Sequence, residues 1–219
     1  MDINLINQNQ ENKDAESVLK FITESYLSSN QQKHSLVDFV NYLALKNLSM
    51  NLIGKSTIEQ IWHRHILDSA QVFSLLKDKN EPVADLGSGA GFPGLVLSIL
   101  GLKEVHLIEK SSKKADFLRE AKKFSANKVL VHNRKIEDLS DLKFNILVSR
   151  ALAPLDKLLI FASQLIKNDK KSFCLFLKGK NFKKEIIDAQ QKFKFEYELF
   201  PSLTSQESFI VKVFNITCR

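Results

Sequence analysis

A chain of 219 residues, 44% apolar and 26% charged, is sized for one α/β domain with a modest extension and leaves no room for two full domains. Its two cysteines, Cys174 and Cys218, exclude a disulfide framework and point to a reducing compartment, while no apolar run approaches the ~20 residues a membrane helix needs. The net charge of +7 is unevenly placed, since residues 1–30 carry five acids against two bases and the remainder is strongly basic; such a balance permits RNA as a partner without proving it.

The first thirteen residues are polar and rich in Asn and Gln, a composition expected of a disordered lead-in and not of a secretory signal. A cytoplasmic protein is expected. From residue 14 to about 80 the apolar spacing is helical. Val18, Leu19, Ile22 and Tyr26 form one stripe, and Leu36, Phe39, Val40 and Leu43 a second. Ile58, Ile61, Trp62, His65 and Ile66 form a third, with Ser56 or Thr57 as its expected cap. His63 and His65, two apart, fall on different sides of a helix, so no metal site is expected there.

From residue 81 to the end, short apolar runs alternate with longer amphipathic ones. Strands are predicted at Val83–Leu86, Val105–Ile108, Val129–Val131, Asn145–Val148 and Phe173–Leu177. Helices are predicted near 93–100, 111–125, 155–167 and 181–192. Runs at 194–200 and 208–215 have no helix between them and pair antiparallel. The fold class is therefore α/β: a mostly parallel seven-stranded sheet with flanking helices and a helical N-terminal extension. Cys174 lies inside the fifth strand, as a small buried hydrophobe.

Between the first strand and its helix stands Asp85-Leu86-Gly87-Ser88-Gly89-Ala90-Gly91-Phe92-Pro93-Gly94. Gly89, Gly91 and Gly94 fit the dinucleotide pattern G-x-G-x-x-G, with Glu109 some twenty residues on. Asp85, Gly87, Gly89 and Gly91 fit the acidic pattern of methyltransferases equally well. Charge favours the second. A pyrophosphate would be repelled by Asp85, whereas S-adenosylmethionine brings a cationic sulfonium and amine, and one unit charge ~4 Å away is worth on the order of 4 kcal/mol at an intermediate dielectric. Glu109 would then accept the ribose hydroxyls, and the domain is a Rossmann-like class I methyltransferase.

The loop after the fourth strand, Ser149-Arg150-Ala151-Leu152-Ala153-Pro154, contains neither the motif used on exocyclic amines nor a Pro-Cys nucleophile. A ring nitrogen such as guanine N7 needs neither, because its lone pair is already in plane and no proton must leave; alignment suffices. Arg150 offers a planar donor fork to cofactor, phosphate or guanine edge, or else forms a structural ion pair. Lys110, Lys113, Lys114, Arg119, Lys122 and Lys123 form one basic cluster, and Lys178, Lys180, Lys183 and Lys184 a second.

Taken together, Asn51-Leu52, Arg64-His65-Ile66-Leu67-Asp68-Ser69, the 85–94 loop, Ser149-Arg150-Ala151 and Leu177-Lys178-Gly179 resemble, in that order, the RsmG family, also called GidB. The resemblance runs from about residue 35 to the C-terminus. It implies a bacterial enzyme that methylates N7 of guanine 527 in the 530 loop of 16S ribosomal RNA, with the small ribosomal subunit or its RNA as partner. It further implies cofactor contacts at Gly87 and Phe92, an adenine site at Ile136 and Glu137, and Arg150 at the cofactor or acceptor site. Where the family often carries Trp, five residues before the Asn-Leu pair, this chain has Lys46. A monomer without metal or membrane contact is expected. Methylation of another RNA, a protein or a small molecule, and a non-catalytic RNA-binding module, are the competing readings.

Overall fold

A computed structural model describes residues 11–219. The expected lead-in of residues 1–13 falls largely on residues 1–10, which lie outside the described residues; the helix α1 (Glu11–Tyr26) begins at its end. The second helix, α2 (Asn30–Met50), opens on Ser29, whose hydroxyl accepts from the Gln32 N–H, and closes at Asn51 in the left-handed region (φ 48°). Its buried stripe of Leu36, Phe39, Val40 and Leu43 is the stripe expected from spacing, and burying each such side chain stabilises by roughly 1.5–3 kcal/mol. On its outer face Lys46 pairs with Glu120 at 2.8 Å and lies over the Tyr42 ring. Lys46 is thus held at the surface by a carboxylate and a ring, with no part in the buried stripe.

The third expected helix is not a capped α-helix. Residues 55–75 fold as a 3-10 turn (Lys55–Thr57), a π-helical segment (Trp62–Leu67), one turn of α-helix, α3 (Asp68–Ala70), and a second 3-10 turn (Gln71–Leu75). Thr57 caps nothing; its hydroxyl donates to the Gly54 carbonyl. Ile61, Trp62, Ile66 and Leu67 are buried nonetheless. A π-turn widens the helix and turns neighbouring side chains to a new bearing, a distortion frequent at functional sites.

The sheet follows the expected order of elements. Strands β1 (Val83–Leu86), β2 (Glu104–Ile108), β3 (Lys128–His132), β4 (Ile146–Arg150) and β5 (Phe173–Lys178) are parallel, and β6 (Phe193–Pro201) and β7 (Phe209–Cys218) are antiparallel. They lie in the order β3-β2-β1-β4-β5-β7-β6. Between them run α4 (Gly94–Leu100), α5 (Ser112–Ala121), α6 (Leu155–Leu165) and α7 (Phe182–Gln190). β4 extends two residues past its expected end, so Arg150 closes the strand instead of entering the loop.

Alternation of side chains along the strands divides the core. Val83, Val105, Leu107 and Val148 pack with α2, α4 and α5 on one face. Ala84, Leu86, Ile108, Leu147, Cys174 and Phe176 pack with α6 and α7 on the other. Cys174 is fully buried and burial raises its thiol pKa, which removes it from chemistry. Chain order reverses between β1 and β4, the switch point beside which open α/β sheets bind their ligands.

Candidate functional site

The glycine loop is built on a buried carboxylate. Asp85 is wholly inaccessible; its Oδ2 accepts from the Gly94 N–H at 3.0 Å, and its Oδ1 has no hydrogen-bond partner among the described residues. Burial pushes its carboxyl up to about 7, against the downward pull of the Gly94 bond and the Arg150 charge. Asp85 therefore sits beneath the loop and not at its surface, and it holds the loop through Gly94. Gly87, Gly89 and Gly91 all have positive φ (73°, 55° and 96°). At Gly87 there is a second constraint, because an added Cβ would come within 2.6 Å of the Leu152 side chain.

The backbone donors of this loop decide which ligand it suits. Gly87 and Ser88 give their N–H groups to the Ile108 carbonyl, and Gly91 and Phe92 give theirs to the Ser88 carbonyl. Gly89 donates to Glu109 Oε2 at 3.0 Å, and Gly94 to Asp85. A pyrophosphate site needs such N–H groups free and converging on an anion. Here they are spent internally, two of them on carboxylates. The loop is closed to phosphate and electronegative, which suits a cationic, phosphate-free cofactor and argues against the dinucleotide alternative.

Glu109, at the end of β2, is buried and bridges two loops, since its Oε1 also accepts from the Ser111 N–H at 2.7 Å. Each oxygen keeps a further lone pair for a hydroxyl donor. Asn133, just past β3, donates to the Glu109 and Lys110 carbonyls and binds the neighbouring strand ends together. Beyond it, Ile136 is buried with Ile108 in the second core, while Glu137 is exposed on the same 3-10 turn. Phe92 is 4% exposed and packs edge-on against Phe39. Its ring also stacks on His65 (centroids 5.2 Å, 23° between planes) and lies 4.9 Å from the Arg150 guanidinium.

Arg150 joins this loop to the broken helical run. Its Nη1 donates to the Arg64 carbonyl at 2.9 Å and to Asp68 Oδ2 at 3.3 Å, and its Nη2 donates to His65 Nδ1 at 2.7 Å. A guanidinium can only donate, so His65 Nδ1 is unprotonated and the ring proton sits on Nε2, 2.9 Å from the Thr57 hydroxyl. Burial, with the charges of Arg150 and Arg64, pushes His65 down to about 3 and keeps the ring neutral. Asp68 is shared three ways, for its Oδ1 accepts from Gln71 Nε2 and the Thr204 hydroxyl, each at 2.9 Å. Gln71 in turn bonds Ser202 and the Leu203 N–H. Within the described residues Arg150 therefore forms the structural ion pair, with Asp68, and its donor fork is turned onto Arg64 and His65.

Beyond Arg150 opens a cleft of about 1170 Å³, walled by the 57–71 run, the 150–154 loop, the ends of β5 and α7, and the β6–β7 turn. Ala151, at its edge, is held at φ 52°, a strained value for a residue with a side chain. Sequence reasoning assigned Lys178 to a surface basic cluster, and that is corrected: it is 8% exposed, donates to the Ala153 carbonyl (2.6 Å) and pairs with Glu185 (2.7 Å) at the cleft. The structure brings Gly87–Phe92, Glu109 and Arg150 together and places Ile136 and Glu137 one strand further out. Thr57, Asp68, Thr204 and Glu185 completed the site without having been singled out as a group. For Asp68 the signal was its place in the Arg64–Ser69 motif. For Thr204 and Glu185 there was none.

The chain is similar to known proteins in sequence and in fold. The family model described as GidB, rRNA small subunit methyltransferase G, matches residues 32–209. A protein of Orientia tsutsugamushi (strain Boryong) named ribosomal RNA small subunit methyltransferase G is 38% identical over 198 residues, which cover 90% of this chain and 98% of that one. One of the same name from Paramagnetospirillum magneticum is 42% identical over 155 residues, covering 71% and 75%. Among solved structures, a ribosomal protein L11 methylase from Lactobacillus delbrueckii subsp. bulgaricus superposes with a TM-score of 0.53 at 18% identity, over 69% of this chain and 77% of that one. That likeness is one of fold.

Proposed function

This chain belongs to the rRNA small subunit methyltransferase G family, and from that premise we propose that it transfers a methyl group from S-adenosylmethionine to N7 of a guanine in 16S ribosomal RNA, guanine 527 of the 530 loop. The observation that carries the reading is the position of Arg150: its guanidinium lies against Phe92 of the glycine loop on one side and borders the open cleft on the other. Cofactor and acceptor base would meet across it.

When bound, S-adenosylmethionine supplies an electrophilic methyl on a sulfonium. This chain's residues hold and align. The loop at Gly87, Gly89 and Gly91 admits the donor's backbone closely, and Glu109 accepts its ribose hydroxyls on lone pairs that Gly89 and Ser111 leave free. Ile136 and Glu137 border its adenine. Asp85 opposes its positive charge from below, with Oδ1 still unpartnered. On the acceptor side no base is required, and the neutral His65 is suited to fixing Arg150, not to moving a proton. Transfer to the guanine N7 lone pair would need no proton removed, so what these residues would contribute is alignment and field. Arg150, held in one orientation by three acceptors, fixes where the base plane lies.

Deleting the gene should remove one N7-methylguanine from the small-subunit RNA by mass spectrometry; an unchanged modification map overturns the assignment. The Asp85 carboxyl gives a second test. With its folded value raised to about 7 from the ordinary 3.8, its contribution to stability is present in acid and lost as pH rises through 7. A cationic ligand favours the ionised form, so calorimetric affinity for S-adenosylmethionine should rise by up to about eightfold from pH 6 to 7.5. Asp85→Asn should bind more weakly and flatten the profile. An identical slope in that variant would assign the titration elsewhere.

A further inference from the structure

The cleft wall formed by β5 and α7 carries a charged pair with two bonding positions left over. Lys178 Nζ spends one N–H on the Ala153 carbonyl at 2.6 Å and one on Glu185 Oε2 at 2.7 Å. An ammonium has three. Glu185 Oε2 also accepts from the Leu155 N–H at 2.9 Å, so this oxygen is saturated, while Oε1 has no hydrogen-bond partner among the described residues. Both residues line the cleft. The lysine side chain is 7% exposed and the glutamate 24%, so neither end can swing away into solvent. Burial lowers the Lys178 pKa, and the Glu185 charge beside it acts against that lowering.

One free donor beside one free acceptor is a readable pattern. On its Watson–Crick edge guanine presents the O6 acceptor next to the N1–H donor; adenine presents the reverse, an N6 amine next to the N1 acceptor. Unstacked RNA bases are commonly read on this edge. We propose that Lys178 and Glu185 form the base reader of the cleft, with the Lys178 ammonium donating to O6 and Glu185 Oε1 accepting from N1–H of a guanine. This deepens the proposed function and rests on it for the identity of the reaction. The arrangement leaves N7, on the other edge, free to face the methyl donor. It also adds a kinetic contribution. As the N7 lone pair takes the methyl and the carbon–sulfur pair goes to sulfur, positive charge passes to the purine, and the N1–H bond to a carboxylate strengthens in the transition state. A buried site that reads polar groups rejects a base lacking them far more strongly than an apolar pocket does.

Glu185→Gln tests this without disturbing the packing. The amide oxygen can keep the Leu155 and Lys178 bonds, and the free position becomes an NH₂ donor instead of an acceptor. Trp62, the only tryptophan, lines the cleft and reports occupancy by fluorescence. With the protein saturated with S-adenosylhomocysteine to block the cofactor site, the wild type should bind guanosine and inosine monophosphates within a few-fold of each other. Adenosine monophosphate should bind about tenfold more weakly. Glu185→Gln should lose about tenfold for the first two nucleotides and nothing for the third. On unmodified small subunits its kcat/KM should fall about 30-fold, mostly in kcat. Equal binding of all three nucleotides by the wild type, or a variant that weakens all three alike, overturns the reader. A wild type that discriminates between the nucleotides but leaves small subunits unmethylated would instead overturn the proposed reaction and leave the reader standing.

Discussion

Arg150→Ala is expected to lower kcat/KM for methyl transfer to small-subunit particles by about 10²–10³-fold, measured with radiolabelled cofactor. The guanidinium makes three hydrogen bonds, one of them part of the ion pair to Asp68. Both members of that pair are under one-fifth exposed. Breaking a buried pair from one side costs about 3–5 kcal/mol, because the surviving charge stays buried. Asp68 retains Gln71 and Thr204, so the lower end of that range applies to stability, while the loss in turnover comes from a misplaced acceptor, which costs about 10²-fold or more. Arg150→Lys should recover only part, since a lysine keeps the charge but cannot span His65, Arg64 and Asp68 at once. His65 supplies an independent readout. The Arg150 charge is the second of the causes that depress it, after burial, so in Arg150→Ala its NMR titration should move part of the way back toward the ordinary histidine range. A His65 that does not move, together with undiminished turnover, would show that Arg150 is neither charged against His65 nor needed.

Gly94→Ala should be the most damaging small substitution in the chain. Its Cβ would fall 2.6 Å from Leu107 Cδ2 and 2.8 Å from both Cβ and Oδ2 of Asp85, and the strands carrying those atoms lie in the middle of the sheet. Alanine gains up to ~1 kcal/mol of helix propensity over glycine. Overpacking at three sites with no room to relax costs about 3 kcal/mol or more, so the clash wins. A net loss of roughly 2–3 kcal/mol lowers the melting temperature by about 4–12 °C in a protein of this size, and it displaces Asp85 and with it S-adenosylmethionine binding. Gly179→Ala is the stability control, since its Cβ would meet nothing within 4 Å, and it should melt within about 2 °C of the wild type. Equal melting of the two variants would mean the loop can shift, and that the buried carboxylate does not hold it rigidly.

Much of the sheet domain was legible because its signals are local. The short strand Val83–Leu86, with Asp85 as its third residue and a glycine-rich turn after it, can be read from a dozen residues. The antiparallel β6 and β7 followed from the missing helix between two apolar runs. What escaped has a physical reason in each case. Ile58, Ile61, Trp62, His65 and Ile66 give the same apolar spacing in an α-helix as in the 3-10 and π-turns found at 55–75, because burial of one face does not fix the hydrogen-bond step. Lys178 looked like the start of a basic run with Lys180, Lys183 and Lys184. Adjacency in sequence cannot tell the last residue of a central strand from the exposed turn that follows it. Thr204 meets Asp68 across 136 positions, and a small hydroxyl residue carries no mark of so distant a partner. The motif that begins at Asp85 was legible, but composition could not show that this carboxylate lies within β1, below the surface, with its pKa raised.

Because β7 lies between β5 and β6, the penultimate strand has nothing to pair with until the last one is in place. On the ribosome, the first five strands and their helices can collapse while β6 waits, and only insertion of the final segment brings the 202–208 turn down onto Gln71 and Asp68. Contacts between such remote parts of a chain form late and slowly. One wall of the cleft is therefore assembled at the very close of synthesis, so a polypeptide cut short by a dozen residues would keep most of its core and lose that wall.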